Sequence, residues 1–316
     1  MALLTALALA DAKRLGRTYG VELESIEALS VGSVNSNFRA TARDGRKLFA
    51  RLYEEQGQVG AEGELALLDG LAAEGIPVST PLPRSGPVPT LGAKPFAVFP
   101  WVEGEILCIP RVTPEACRRV GRALAQVHLA TPKLSRLGPG RFAPADMLER
   151  LARVEREALR PALAPDLLHV RALYERYLAE REPSLPHGVV HGDLFRDNVL
   201  WQGGEIAALL DFESAFHGPF VYDLMVTIAA WCYRDAFELP LVAALVEGYE
   251  AARPLGADER RAVRVEGALA CLRFATSRIT DFELRAREGE RPARDFRRFL
   301  ARLDAIATGE LASVLA

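Results

Sequence analysis

Cysteine and histidine are scarce in this sequence. The four cysteines, Cys108, Cys117, Cys232 and Cys271, stand far apart and form no Cys-x-x-Cys pair. That spacing excludes a disulfide-stapled scaffold and a dithiol redox motif, and they read as buried thiols of a reducing cytoplasm. Five histidines fall into no zinc-ligand pattern. No apolar run approaches the roughly 20 residues that span a bilayer. Residues 1–10 are apolar, but no basic segment precedes them and Asp11, Lys13 and Arg14 follow at once. An amphipathic first helix is therefore expected there, not a signal peptide. Neither sign of charge dominates: 39 basic and 42 acidic residues are interspersed, for a net charge of −3. A footprint for nucleic acid or an anionic membrane is thus missing, and a small-molecule partner fits the balance. Repeats and low-complexity tracts are absent too. Nothing in the sequence fixes the oligomeric state more narrowly than monomer or weak dimer.

What the chain does contain is strong patterning. Residues 21–29, 34–42 and 47–53 carry strand-like stretches separated by Gly32 and by Asp44-Gly45, a hairpin signal. Residues 62–74 read as a helix stopped by Gly75 and Pro77, and 95–102 as a short apolar strand ending at Glu103-Gly104, where a hinge is expected. Thr113 caps a further helix with Pro114 at its first position. Helices are predicted over 144–159, 166–182, 219–234, 239–252, 257–284 and 293–313. A small antiparallel-sheet lobe over 1–102 and a larger, mainly helical lobe over 103–316 make an α+β arrangement.

The segment His191-Gly192-Asp193-Leu194-Phe195-Arg196-Asp197-Asn198, followed by Asp211-Phe212, carries the chemistry. It sets two carboxylates and a carboxamide in the order that phosphoryl transfer to a hydroxyl requires. Asp193 is the candidate base for the acceptor hydroxyl. Asn198 and Asp211 offer hard oxygens to Mg²⁺. Between them lies room for a hairpin turning at Gly203-Gly204. His191 reads as a neutral brace for the loop. Asp223, at the start of an apolar helix, reads as a structural acid satisfied by donors from the same loop.

For the nucleotide, the turn containing Gly32, Ser33, Asn35, Ser36 and Asn37 supplies backbone N–H groups for a triphosphate. Lys47, Phe49 and Arg51 share a strand face by the period of two. Arg51 is the preferred phosphate contact and Lys47 its competitor. Glu64 is the expected partner of that cation, with Glu62 as alternative. The adenine edge is expected along Phe99, Trp101 and Val102. The first lobe is thus the nucleotide-binding one and the second the catalytic one.

With these residues in view, the chain resembles the aminoglycoside phosphotransferase superfamily, relatives of protein kinases, over essentially its whole length. HGDLFRDN, the DFE at Asp211 to Glu213 and the YDL at Asp223 carry the resemblance. Within that group it is most similar to the kinase-like homoserine kinases, through VNSNF, RLYEE, EGIPVSTPLP, YDLMVTIAAWC, GYEAARPLGADER and LRFATSRITDF in matching order. The resemblance implies a protein-kinase-like two-lobe fold and an ATP- and Mg²⁺-dependent enzyme that phosphorylates L-homoserine in threonine biosynthesis. Two departures bear on the acceptor: DFESA stands where homoserine kinases usually carry DFYFA, and Arg51 where many have Thr.

Homoserine is a small zwitterion, so its site calls for a guanidinium and an acid near the base. Arg273, Arg278 and Asp281 on one late helix, with Trp231, are the candidates; a set of helix-surface ion pairs is the alternative reading of the same residues. Other acceptors of the same fold, such as choline or ethanolamine, an amino sugar or an aminoglycoside, are the competing expectation, with a nucleotide-binding pseudokinase behind them. The choice between ATP and GTP is not written in the sequence.

Overall fold

A computed structural model describes residues 5–29, 34–134, 137, 140, 142–157, 161–284 and 294–315. The chain opens with α1 (Leu9–Gly16), β1 (Leu23–Leu29), β2 (Ser36–Ala42), β3 (Lys47–Leu52), α2 (Gln58–Ala73), β4 (Thr90–Leu91) and β5 (Lys94–Pro100). It continues with α3 (Pro114–Ala130), α4 (Pro144–Arg156), α5 (Ala164–Ala179), β6 (His187–Val190), β7 (Val199–Gln202), β8 (Glu205–Leu209) and β9 (Phe216–Pro219). The last elements are α6 (Phe220–Trp231), α7 (Leu239–Glu250), α8 (Ala257–Arg278), α9 (Arg297–Ala307) and α10 (Ala312–Leu315). The architecture is α+β. No helix among the described residues is long and apolar enough to cross a membrane.

The chain forms two compact units, one of Met1–Glu105, Lys133–Ser135 and Leu200–Glu213, the other of Ile106–Pro132, Arg136–Val199 and Ser214–Ala316. In the first, five strands pair antiparallel in the order β1-β2-β3-β5-β4. The period of two puts Phe38, Ala40, Ala42, Leu48, Ala50, Leu52, Phe96 and Val98 on one face, where Ala12 and Leu15 of α1 cover them. Asn37, Arg51 and Ala97 line up in register across β2, β3 and β5 on the other.

Residues 1–4 lie outside the described residues, and helix α1 starts at Leu9, after residues 5–8 of the apolar run. The reason is amphipathicity: only from Asp11, Lys13 and Arg14, interleaved with buried Ala12 and Leu15, does a polar face oppose an apolar one. Gly104 is packed closely within the first unit. Glu105 and Trp201 exchange backbone hydrogen bonds of 2.8 and 2.9 Å, and a Cβ on Gly104 would lie 3.1 Å from Leu200 and from the Trp201 carbonyl. Strands β7 and β8 form the expected hairpin, with Gly203 (φ 60°) and Gly204 (φ 83°) supplying the left-handed pair its turn needs.

In the second unit β6 pairs with β9, and α6 is buried along its whole length. Helices α3 and α7 cross at two glycines. A Cβ on Gly121 would sit 2.0 Å from the Leu245 carbonyl oxygen, and one on Gly248 would sit 1.9 Å from that of Arg118. Neither obstacle is a movable side chain, so Gly248→Ala should cost about 3 kcal/mol, the upper end of over-packing. A denaturant midpoint unchanged from wild type would contradict this reading. Thr113 caps α3 through the Ala116 N–H at 3.2 Å, with Pro114 following as expected. Cys117, Cys232 and Cys271 are buried, whereas Cys108 is exposed, in the loop ahead of α3, so the expectation of four buried thiols fails at one.

Candidate active site

The loop from His191 to Asn198 follows β6 and is fixed from beneath by Asp223. That fully buried carboxylate on α6 accepts the His191 N–H at 2.7 Å and the Gly192 N–H at 2.8 Å. It also meets His128 Nε2 of α3 at 3.1 Å. Because a carboxylate only accepts, Nε2 holds the His128 proton, and Nδ1 accepts from the Tyr249 hydroxyl at 2.7 Å. Arg253 in turn donates to the Tyr249 oxygen at 3.1 Å and pairs with Glu259 at 2.9 Å. Burial opposes charge on Asp223, but His128 and the loop hold its carboxyl below the ordinary range; burial likewise pushes His128 down, keeping it neutral. The Gly121 and Gly248 crossing is what brings His128 to Tyr249.

On the loop itself, Asp193 donates its N–H to His191 Nδ1 at 3.2 Å, so that nitrogen carries no proton. Asn198 Nδ2 donates to the Asp193 carbonyl at 2.8 Å. With the NH₂ end so assigned, the amide oxygen of Asn198 is turned the other way. Gly192 has φ 73°, and a Cβ there would come within 2.8 Å of the Ser214 carbonyl, so both conformation and space require glycine.

The first unit gathers a second cluster. Arg51, nine-tenths buried, donates from Nε to Asn37 Oδ1 at 3.3 Å and from one terminal nitrogen to Glu64 at 3.4 Å and Asp211 at 3.2 Å. Burial alone would weaken its charge, but Asp211 and then Glu64 raise its affinity for the proton above the ordinary value. Asp211 follows β8 with φ 64°, the only left-handed non-glycine among the described residues, a strain associated with functional positions. One oxygen of Asp211 takes Arg51, and its side chain is 35% exposed. Asn35 donates to Glu213 at 2.5 Å and accepts the Glu54 N–H at 3.2 Å.

Two carboxylates thus share one guanidinium. Burial, opposed by Arg51 and reinforced by Asp211, pushes the Glu64 carboxyl up to about 8. A raised carboxyl pKa means that the folded state holds a proton the unfolded chain has released. Stability from this group is complete below the ordinary value of 4.5 and is lost as pH rises toward 8. Glu64→Gln should flatten this decline, at most about 1.4 kcal/mol per pH unit, in melts recorded between pH 5 and 8. Parallel declines in both proteins would refute it.

Gly32 and Ser33 lie outside the described residues. Ser36 sits on the α1 side of the sheet with Phe38, its hydroxyl bound to Glu54, which also holds Lys94 and Thr5. Its side chain therefore faces away from Arg51, as the period of two dictates. Lys47 is 63% exposed and pairs with Glu103 at 3.1 Å. Glu62 accepts from Gln58 and from the Val88 N–H. Phe99 packs near Phe49, and Trp101 gives its N–H to the Lys47 carbonyl at 3.2 Å, so the sheet already uses that donor. Val102 follows the end of β5.

Of the acceptor candidates, Arg273 stands beside the base. Its guanidinium is 3.7 Å from the Asp193 carboxylate, 3.3 Å from the Ser214 hydroxyl, and 3.9 Å from the ring centres of Phe142 and Phe274. Arg278 does not join it: it donates to the Asp295 carbonyl at 2.9 Å and stacks on Phe299. Five helical residues rotate a side chain by about 140° net, which separates the two arginines. Asp281 pairs with Arg150 at 3.6 Å, and buried Trp231 donates to the Leu194 carbonyl at 3.0 Å, bracing the loop from α6. Sequence reasoning passed over His128, Ser214, Phe142 and Glu213. Only Glu213 had a local signal, two residues after Asp211.

The pattern of the phosphotransferase enzyme family matches residues 25–258, most of the chain. The chain belongs to the phosphotransferase enzyme family. It is similar to a homoserine kinase of Methylocella silvestris, 32% identical over 89% of this chain and 88% of that one. It is also similar to a homoserine kinase of Phenylobacterium zucineum, 35% identical over 82% and 80%. An amicoumacin kinase shares the fold with a TM-score of 0.69 at 16% identity, covering 92% of this chain and 89% of that one. As a member of this family, the protein is a kinase that phosphorylates a hydroxyl of a small molecule.

Proposed function

We propose that the protein is an ATP-dependent homoserine kinase of the cytoplasm, forming O-phospho-L-homoserine in threonine biosynthesis. The observation that carries the acceptor is the buried guanidinium of Arg273 at 3.7 Å from Asp193, a cation placed for a carboxylate next to the base. Relatives in the phosphotransferase family that are named homoserine kinases, matched along more than four-fifths of this chain, support the same reading. The aromatic side chains that a choline cage would use, Phe220, Tyr222, Trp231 and Tyr233, are each buried in the helical core, which favours the amino-acid acceptor.

In this reading Asp193 orients the acceptor hydroxyl and takes its proton as the oxygen attacks the γ-phosphorus. Arg51 meets the phosphates with a fixed fork, held by Asn37 and Glu64. Asn35 flanks the triphosphate, while Phe99 to Val102 meet the adenine. Asn198, through its amide oxygen, and Asp211, through its second carboxylate oxygen, each offer a hard oxygen of the kind that Mg²⁺ takes. The cation, when bound, neutralises charge on the phosphates. His191 and Asp223 keep the loop in shape. ADP release should rise with L-homoserine well above the rate without acceptor; a null response to homoserine alongside turnover of another alcohol would reassign the acceptor.

A further inference from the structure

Arg273 is held unusually firmly for a residue that contacts the base only loosely. Its side chain is 5% exposed, lies over the rings of Phe142 and Phe274, and is tied by Ser214. A poorly hydrated, delocalised guanidinium suits that aromatic bracket better than a strongly hydrated ammonium. Its gap of 3.7 Å to Asp193 is too long for a hydrogen bond. The attraction is therefore Coulombic and exchangeable, and it draws the Asp193 carboxylate toward Arg273. The edge of Arg273 that faces Asp193 points to a partly exposed group, so an arriving anion meets it there.

Resting on the assignment of Asp193 as base, we propose that Arg273 is an anion-operated latch on Asp193: the carboxylate of the acceptor takes over the guanidinium and releases Asp193 to receive the hydroxyl proton. Phe142, Phe274 and Ser214 are positioning residues that keep the guanidinium from following either partner. Specificity then acts on turnover as well as on binding, because an alcohol without a carboxylate leaves the base engaged.

The test compares L-homoserine with 3-amino-1-propanol, the same molecule without its carboxylate, with and without added acetate. For the wild type, the amino alcohol should show kcat lower by on the order of 10²-fold, the scale of losing one positioned catalytic group. Acetate should recover about tenfold of it at saturating alcohol, while chloride at equal ionic strength should not. In Arg273→Met the pattern should cross: homoserine shows a higher KM, the amino alcohol reacts faster than with wild type, and acetate has no effect. Carboxylate binding without a latch predicts a KM change alone and no gain for the amino alcohol in the variant, which would overturn the proposal. The acetate response needs only wild-type protein, so a poorly folding variant does not shield the latch from refutation. Absence of homoserine turnover by wild type would instead remove the acceptor reading and the latch with it, an outcome distinct from intact turnover without a latch.

Discussion

Asp193→Asn should lower kcat by about 10²–10⁴-fold, the contribution typical of a positioned general base, while leaving nucleotide affinity near that of wild type. The substitution is clean because the loop is held at this residue through its backbone. The Asp193 N–H goes to His191, and its carbonyl accepts from Asn198 at 2.8 Å and from the Phe195 N–H at 2.7 Å. None of these bonds involves the carboxylate, so the carboxamide should preserve them while removing the proton acceptor and the charge that faces Arg273. Arg273 keeps Ser214 and its two aromatic neighbours in the variant. Steady-state kinetics with homoserine, together with titration of a non-hydrolysable nucleotide, separate the two effects. A variant retaining near wild-type kcat would show that Asp193 is not the base.

Asp211→Asn should act on the other reactant. It keeps a residue type that tolerates the left-handed backbone at φ 64°, which alanine would not, and removes the negative charge that faces Arg51. Mg²⁺-dependent nucleotide affinity should fall, and kcat with it, on the order of 10²-fold, the scale of losing one preorganised electrostatic contact. Nucleotide binding measured with Mg²⁺ and with a chelator should differ strongly for wild type and little for the variant. Equal Mg²⁺ dependence in both would remove Asp211 from the metal-binding role. In the variant Glu64 loses a neighbouring negative charge and should titrate lower than in the wild type.

Much of this arrangement is written locally. Asp44-Gly45 and Gly203-Gly204 mark turns because few residues other than glycine adopt the left-handed backbone, and both glycines of the second pair do so here. Alternation along β2 and β3 separates Arg51 from the core, and the same rule turns the Ser36 side chain to the opposite face from Arg51. Arg278 illustrates the helical counterpart: a spacing of five is not a shared face. The first helix shifted because apolarity without a polar face does not define a surface helix. What no local pattern contained is long-range. His128 looks like one more residue of a buried stripe until Asp223, 95 positions later, gives it a partner. Phe142 gains its place beside the base from a guanidinium on α8.

The hairpin of β7 and β8 has an implication for how this chain tolerates length changes. Its tip, Gly203-Gly204, is exposed and a Cβ at either glycine meets nothing within 4 Å, so an added loop there should be accommodated. Strand β8 is different, since Leu209 is pinned to Pro77 and Val78, and one inserted residue would reverse which face every later side chain presents. Asp211 would then turn away from Arg51. Lineages descending from this chain should therefore vary at the tip while conserving the count from Glu205 to Asp211, a spacing kept by pleat geometry more than by any single side chain.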